Sequence, residues 1–207
     1  MLFIEIFINN AVNFKQFYAE ARLQHNEQTQ GIDEFIAQLD AAFAGNEQLF
    51  ADLKRLIIYT KCPSISFEPL KAAMGISKTD ACIINSAMLR SHLDKCMYVV
   101  LHEVAHQRQY TSRGEDIAHD IYLGTMNEHE AAQKLLSIEN TADRWARRMM
   151  HALYTKHQLQ MPHVPLHYKN ASIKGIEMQI NAFRNKIRQM NITSIEQANE
   201  MIYNLIK

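Results

Sequence analysis

The chain is poor in residues that break helices. Its 207 residues include only 6 Gly and 4 Pro, so turns are few and long helices are expected. Cysteine is scarce as well. Cys62, Cys82 and Cys96 are an odd number and form no Cys-x-x-Cys pair, which argues against a disulfide framework or a closed cysteine-rich metal site and implies buried or free thiols in a reducing compartment. Net charge is absent, with Lys+Arg and Asp+Glu at 22 each. Proteins that live on phosphate backbones carry a basic excess or stripe, so nucleic acid is not an expected partner. No stretch approaches the roughly 18 apolar residues of a membrane span. The run Leu2 to Ile8 is short, is interrupted by Glu5, and lacks a basic lead and a small-residue cleavage site. A soluble, cytoplasmic protein without a membrane partner is expected.

What remains is an ordinary globular composition, 47% apolar and 21% charged, with length enough to bury a real core. Helical spacing runs through Phe14, Phe17, Tyr18 and Ala21, then through Phe35, Ile36, Leu39 and Phe43 after a start at Gly31-Ile32-Asp33. A third stripe, Leu49, Phe50, Leu53, Leu56 and Ile57, follows Asn46 as a cap. Cys62-Pro63 breaks it, and Ser64 to Glu68 alternates like a half-buried strand. Ala81 to Asn85 reads as a second strand. Helices are then predicted over 89–110 and 127–156, the latter with a stripe of Leu135, Ile138, Ala142, Trp145 and Met149. Arg144, Arg147 and Arg148 read as its solvated back. Met161 to Pro165 is a linker. Two closing helices span 171–190 and 194–206, with Thr193 and Glu196 as a capping box.

Chemistry concentrates in one place. Tyr98-Val-Val-Leu-His-Glu-Val-Ala-His-Gln107 holds His-Glu-x-x-His inside a helical, strongly apolar segment. His102 and His106, four apart, lie on one helix face a turn apart, so both imidazoles reach a single ion. Glu103 projects about 100° around the helix, close enough to act on a water beside that ion. Two neutral imidazoles suit Zn²⁺ and leave room for a third protein ligand from another element. Glu139-Asn-Thr-Ala-Asp143 supplies the best one. Glu139 and Asp143 share a face next to Leu135, Ala142 and Ala146, where carboxylates are expensive to bury without partners. The bland alternative is a solvated face pairing with Arg144 or Arg147. His119, 13 residues after His106, is a rival third ligand. His129 reads as solvent-facing.

His-Glu-x-x-His followed by Glu-x-x-x-Asp, with Ala142 before the Asp, resembles the gluzincin pattern of zinc metallopeptidases. The resemblance covers roughly residues 64–155. It implies that Glu139 is the third zinc ligand, that Asp143 hydrogen-bonds a ligand histidine, and that Ile83-Ile84-Asn85 is the edge strand that pairs with peptide substrates. A metzincin would need His at position 112, which is Ser.

The expected fold class is therefore α+β and predominantly helical: a zincin-like core over 63–157 with a small sheet, flanked by helical regions at 1–62 and 158–207 in one compact unit. The expected activity is peptide-bond hydrolysis, with Zn²⁺ as cofactor, Glu103 as general base and a peptide or protein as substrate. Tyr110, His151, His163, His167 and Tyr168 are all eligible to steady the oxyanion. The competing expectation is a catalytically idle zincin-like module that binds a protein partner through its terminal helices.

Overall fold

The computed structural model describes residues 25–71, 73–77, 81–113, 126–162, 172–194, 197–198 and 201, by backbone alone at 25–30 and 110–113. The stripe at Phe14 to Ala21 lies outside them. Helices α1 (His25–Ala42) and α2 (Glu47–Tyr59) come first, then strands β1 (Ile65–Glu68), β2 (Gly75–Ser77) and β3 (Cys82–Asn85). A 3₁₀ turn over Ser86–Arg90 leads into α3 (Leu93–Arg113), followed by α4 (Glu128–Lys156) and α5 (Ile173–Gln189). The described chain is mostly helical with one small sheet, as expected.

The ends of the elements show where local rules hold. Asn127 caps α4 as its type predicts, its side-chain oxygen accepting from Glu130 N–H at 2.9 Å. Asn46 does not cap α2; it donates instead to Phe43 O at 3.0 Å. Gly31 starts nothing, because α1 already runs from His25. The last cap moves one residue: Gln197 N–H donates to Ser194 Oγ, and Thr193 N–H donates back to Gln197 Oε1. Because glycine is scarce, the C-termini of α2, α4 and α5 are closed by Lys61, Gln158 and Asn191 at φ 57°, 55° and 51°. Each makes the paired bonds of a Schellman ending, for instance Leu159 N–H to Tyr154 O at 2.9 Å with Gln158 N–H to Thr155 O at 3.2 Å.

The sheet has the order β1-β3-β2. β1 runs parallel to β3, pairing Ile65 with Cys82, and β2 runs antiparallel, pairing Ile76 with Ile83. This corrects two expectations. A third strand exists, and β3 is the central strand, so Ile83-Ile84-Asn85 is not an edge. Both faces of β3 are buried, which is why it reads as a continuous apolar run. The pleat sends its neighbours into different cores. Ile84 packs with α1, α2 and α3 through Phe35, Leu39, Phe50, Leu53 and Val100, while Ile83 and Ile76 join α4 and α5 through Leu135, Ile138, Ile180 and Phe183. Phe35 stacks on Phe67 of β1 at 4.5 Å between centroids. Asn85 pins the loop before β2 by donating to Leu70 O and Ala73 O.

α3 lies against β2 and β3 on one side and α4 on the other. The buried stripe of α4 follows Leu135, Ile138, Ala142, Ala146 and Met150. Trp145 and Met149, expected within it, are only partly buried. Small Ala142 and Ala146 let α3 and α4 approach closely. All three cysteines are free and buried. Among the described residues no helix is long and apolar enough to cross a membrane.

Candidate metal centre

The seam between α3 and α4 brings the predicted residues together. His102, Glu103, His106, Glu139 and Asp143 are all 5% exposed or less. The two carboxylates of α4 are therefore not a solvated face. Their neighbour Arg144 turns away to donate to Asn140 O and Thr141 Oγ1.

The hydrogen bonds on the outer ring nitrogens fix the histidine tautomers. His102 Nδ1 lies 3.0 Å from Asp143 Oδ1, and His106 Nδ1 lies 2.9 Å from Gln109 Oε1. Both partners are acceptors, so each Nδ1 carries the hydrogen and, in the neutral rings, each Nε2 keeps its lone pair. Those two Nε2 atoms face each other at 3.1 Å. Glu139 completes the triangle, with Oε2 3.1 Å from His102 Nε2 and Oε1 3.4 Å from His106 Nε2. Oε1 has no hydrogen-bond partner among the described residues.

Supporting groups hold this triangle. Tyr98, one turn before His102, donates its buried hydroxyl to Asp143 Oδ1, and the Arg147 guanidinium lies over the Tyr98 ring. Gln109 donates to Ile138 O at 3.0 Å, which ties His106 to the turn that carries Glu139. The electrostatics agree. Burial works against charge on His102, but the carboxylates of Asp143 and Glu139 outweigh it and lift its pKa to about 10. Burial would raise the Glu139 carboxyl, yet His106 and His102 hold it down at about 2. The cluster is thus built to keep a positive charge among buried carboxylates.

Glu103, between the two histidines on α3, also packs against the sheet. Its carboxyl pKa is raised by burial, against the pull of His102 and His106, and its Oε2 has no hydrogen-bond partner among the described residues. It fits against the bare backbone of Gly75: a Cβ there would stand 2.6 Å from Glu103 Cγ and 2.9 Å from Oε1. One turn on, Gln107 donates to Ser77 Oγ at 2.7 Å and locks α3 to β2.

His102, His106 and Glu139 could hold a metal ion, their ligand atoms all lying within 4.8 Å of one another. Ligands about 2.0–2.1 Å from a tetrahedral ion stand roughly 3.3 Å apart. The three measured separations, 3.1, 3.1 and 3.4 Å, match that figure, and the orphaned Glu139 oxygen gains a partner. The residues fit the group.

Sequence reasoning overlooked Tyr98, Gln109 and Gly75. Tyr98 is four residues before His102 and Gln109 three after His106, so helical spacing carries a signal for both. Of the others, His151 sits exposed on α4. His129 is surface-lying and pairs with Glu177 Oε1 at 2.6 Å. His119, His163, His167 and Tyr168, with the side chain of Tyr110, lie outside the described residues. No protein-family profile, curated protein or solved structure matches this chain.

Proposed function

We propose that the chain is a zinc-dependent metallopeptidase with a gluzincin-like centre, in which His102, His106 and Glu139 hold Zn²⁺. One observation carries the reading: two imidazole Nε2 lone pairs and a buried carboxylate with an orphaned oxygen converge at tetrahedral ligand spacing. The donor set is two nitrogens and one oxygen, the open three-ligand type found at catalytic zinc. Bound there, Zn²⁺ supplies Lewis acidity toward a carbonyl oxygen and lowers the pKa of water.

The chain's own residues do the rest. Asp143 accepts the His102 Nδ1 hydrogen and so fixes the ring and its tautomer, while Tyr98 holds Asp143 in place. Gln109 does the same for His106. Glu103 takes a proton from the attacking water as its oxygen adds to the carbonyl carbon. It returns that proton to the amine nitrogen as the C–N bond breaks. A carboxyl whose pKa is raised by burial suits both halves of that transfer. Gly75, lacking a side chain, leaves the space against β2 in which the Glu103 side chain lies.

A second reading, an idle zincin-like module that binds a protein partner, is favoured by the burial of the site, whose histidines and Glu103 are nearly closed to solvent. Turnover separates the two. The test measures bound zinc per chain and cleavage of an unfolded protein, with and without chelator, in the native chain and in Glu103→Gln. One zinc per chain, chelator-sensitive cleavage, and a Glu103→Gln protein that keeps zinc but loses cleavage are expected. Zinc without cleavage in the native chain selects the module, and cleavage by zinc-loaded Glu103→Gln refutes the peptidase mechanism.

A further inference from the structure

A cavity of about 360 Å³ lies between α3 and α4, next to the metal centre; small-ligand pockets span about 300–1,000 Å³. Arg108 and Gln109 of α3 line it, with Thr141, Arg144, Trp145 and Arg148 of α4. Among the described residues no carboxylate does. In a chain whose charges balance overall, the Arg144 and Arg148 guanidinium groups on one wall of a hollow make a local anion-attracting field, with Arg108 on the facing helix. The residues read from sequence as a solvated helix back thus divide: Arg147 lies over the Tyr98 ring, while Arg144 and Arg148 meet Arg108 from the opposite helix.

We propose that this cavity binds a phosphate group, free or carried by a small organic ester. A guanidinium fork matches two phosphate oxygens at once, and a group bearing close to two charges answers the Arg144 and Arg148 pair better than a single carboxylate. Thr141 and Gln109 line the same wall with their polar groups already bonded, to Ser137 O and to Ile138 O and His106, so the arginines supply the donors. The Trp145 ring, with Arg108 5.9 Å from its centroid, offers a flat face to the organic part of an ester. Arg144 spends N–H groups on Asn140 O and Thr141 Oγ1, contacts that steady its guanidinium on α4 and leave other donors of its fork. The site is distinct from the metal centre. Gln109 stands between them, lining the cavity while its Oε1 lies 2.9 Å from His106 Nδ1.

Trp145 is the only tryptophan in the chain, so all tryptophan emission comes from a residue on the cavity wall. The native protein is titrated with inorganic phosphate and with phenyl phosphate at constant ionic strength, with chloride as the control anion. A saturable emission change is expected with both. Tighter binding of phenyl phosphate identifies an ester as the occupant, and equal affinity identifies phosphate itself. Arg144→Ala and Arg148→Ala each weaken binding by about tenfold or more. Arg148→Lys restores only part of the loss, because a point charge replaces a fork. Both arginines are exposed, so unchanged far-UV circular dichroism is expected for all three variants. Glu139→Gln and added chelator leave the affinity unchanged. The proposal is overturned by the absence of a saturable change, by an equal response to chloride, or by undiminished affinity in both alanine variants. Loss of binding in Glu139→Gln also overturns it, since the anion then belongs to the metal centre.

Discussion

Gly75→Ala tests how tightly Glu103, the proposed general base, is held. The Gly75 backbone does not adopt a positive φ, so alanine meets no conformational barrier there and by itself stabilises by about 0.4–1 kcal/mol through the unfolded chain. Its new methyl, however, lands 2.6 Å from Glu103 Cγ and 3.0 Å from Cδ, against an optimal carbon–carbon separation of about 3.5–4.0 Å. Glu103 is 3% exposed and has little room to yield, so the overlap of about 1 Å falls in the range of core overpacking, roughly 1–3 kcal/mol. The net expectation is a loss of about 1–2 kcal/mol. Urea unfolding in the presence of chelator reads it as a lower midpoint at unchanged slope. Under the proposed function, turnover of the zinc-loaded protein falls too, by up to about a hundredfold, because a shift near 1 Å in a general base is costly. The decisive comparison is the same substitution in a Glu103→Ala background, where the obstructing side chain is gone. There Gly75→Ala should become neutral or stabilising by about 0.5 kcal/mol. An equal loss of stability in both backgrounds refutes the reasoning, because the strain then lies in the backbone or in another neighbour.

Tyr98→Phe removes the hydroxyl that donates to buried Asp143. It should cost about 1–3 kcal/mol in unfolding free energy and weaken zinc binding about 10- to 100-fold in a competition titration with a chromophoric chelator. Asp52 is held at a pKa of about 2 by its hydrogen bonds to Lys156 and His157. A folded pKa below the unfolded value near 3.9 stabilises above that value, and the gain disappears as pH falls from about 4 to about 2. Lys156 is largely exposed, so screening limits the contribution to about 1 kcal/mol. Unfolding free energies of the native chain and Asp52→Asn, followed against pH, should differ at pH 6 and converge toward pH 2. Glu139→Gln should bind less than a tenth of the native zinc under dialysis, since the substitution removes the one ionised ligand of the set.

Much of the centre was legible in sequence because a helix turns spacing into geometry. His102 and His106 four apart, and Glu139 and Asp143 four apart, each define one face whatever else the chain does. The start of α4 near Asn127 was legible for the same local reason. Gly75 was not: β2 is three residues long, too short for any period, and its contact with Glu103 is set by pairing with β3. The central place of β3 was hidden too, since a strand buried on both faces shows no alternation. Asn46 failed as a cap because its amide found Phe43 O instead. The α4 stripe was read toward Trp145 when the close approach of α3 selects Ala146, a choice that depends on the partner helix and not on period.

The Gln109 bridge reaches beyond orienting a ring. Through one amide it joins His106 of α3 to the carbonyl of Ile138, next door to Glu139 on α4, so the two helices are already laced before any ion arrives. An ion held by ligands from both would act as a cross-link across a long intervening segment, shrinking the freedom of the unfolded chain as a covalent clip does. Backbone amides along α3 and α4 would then slow their exchange with solvent in unison, as one cooperative block, while those of α1 and α5 kept their own rates.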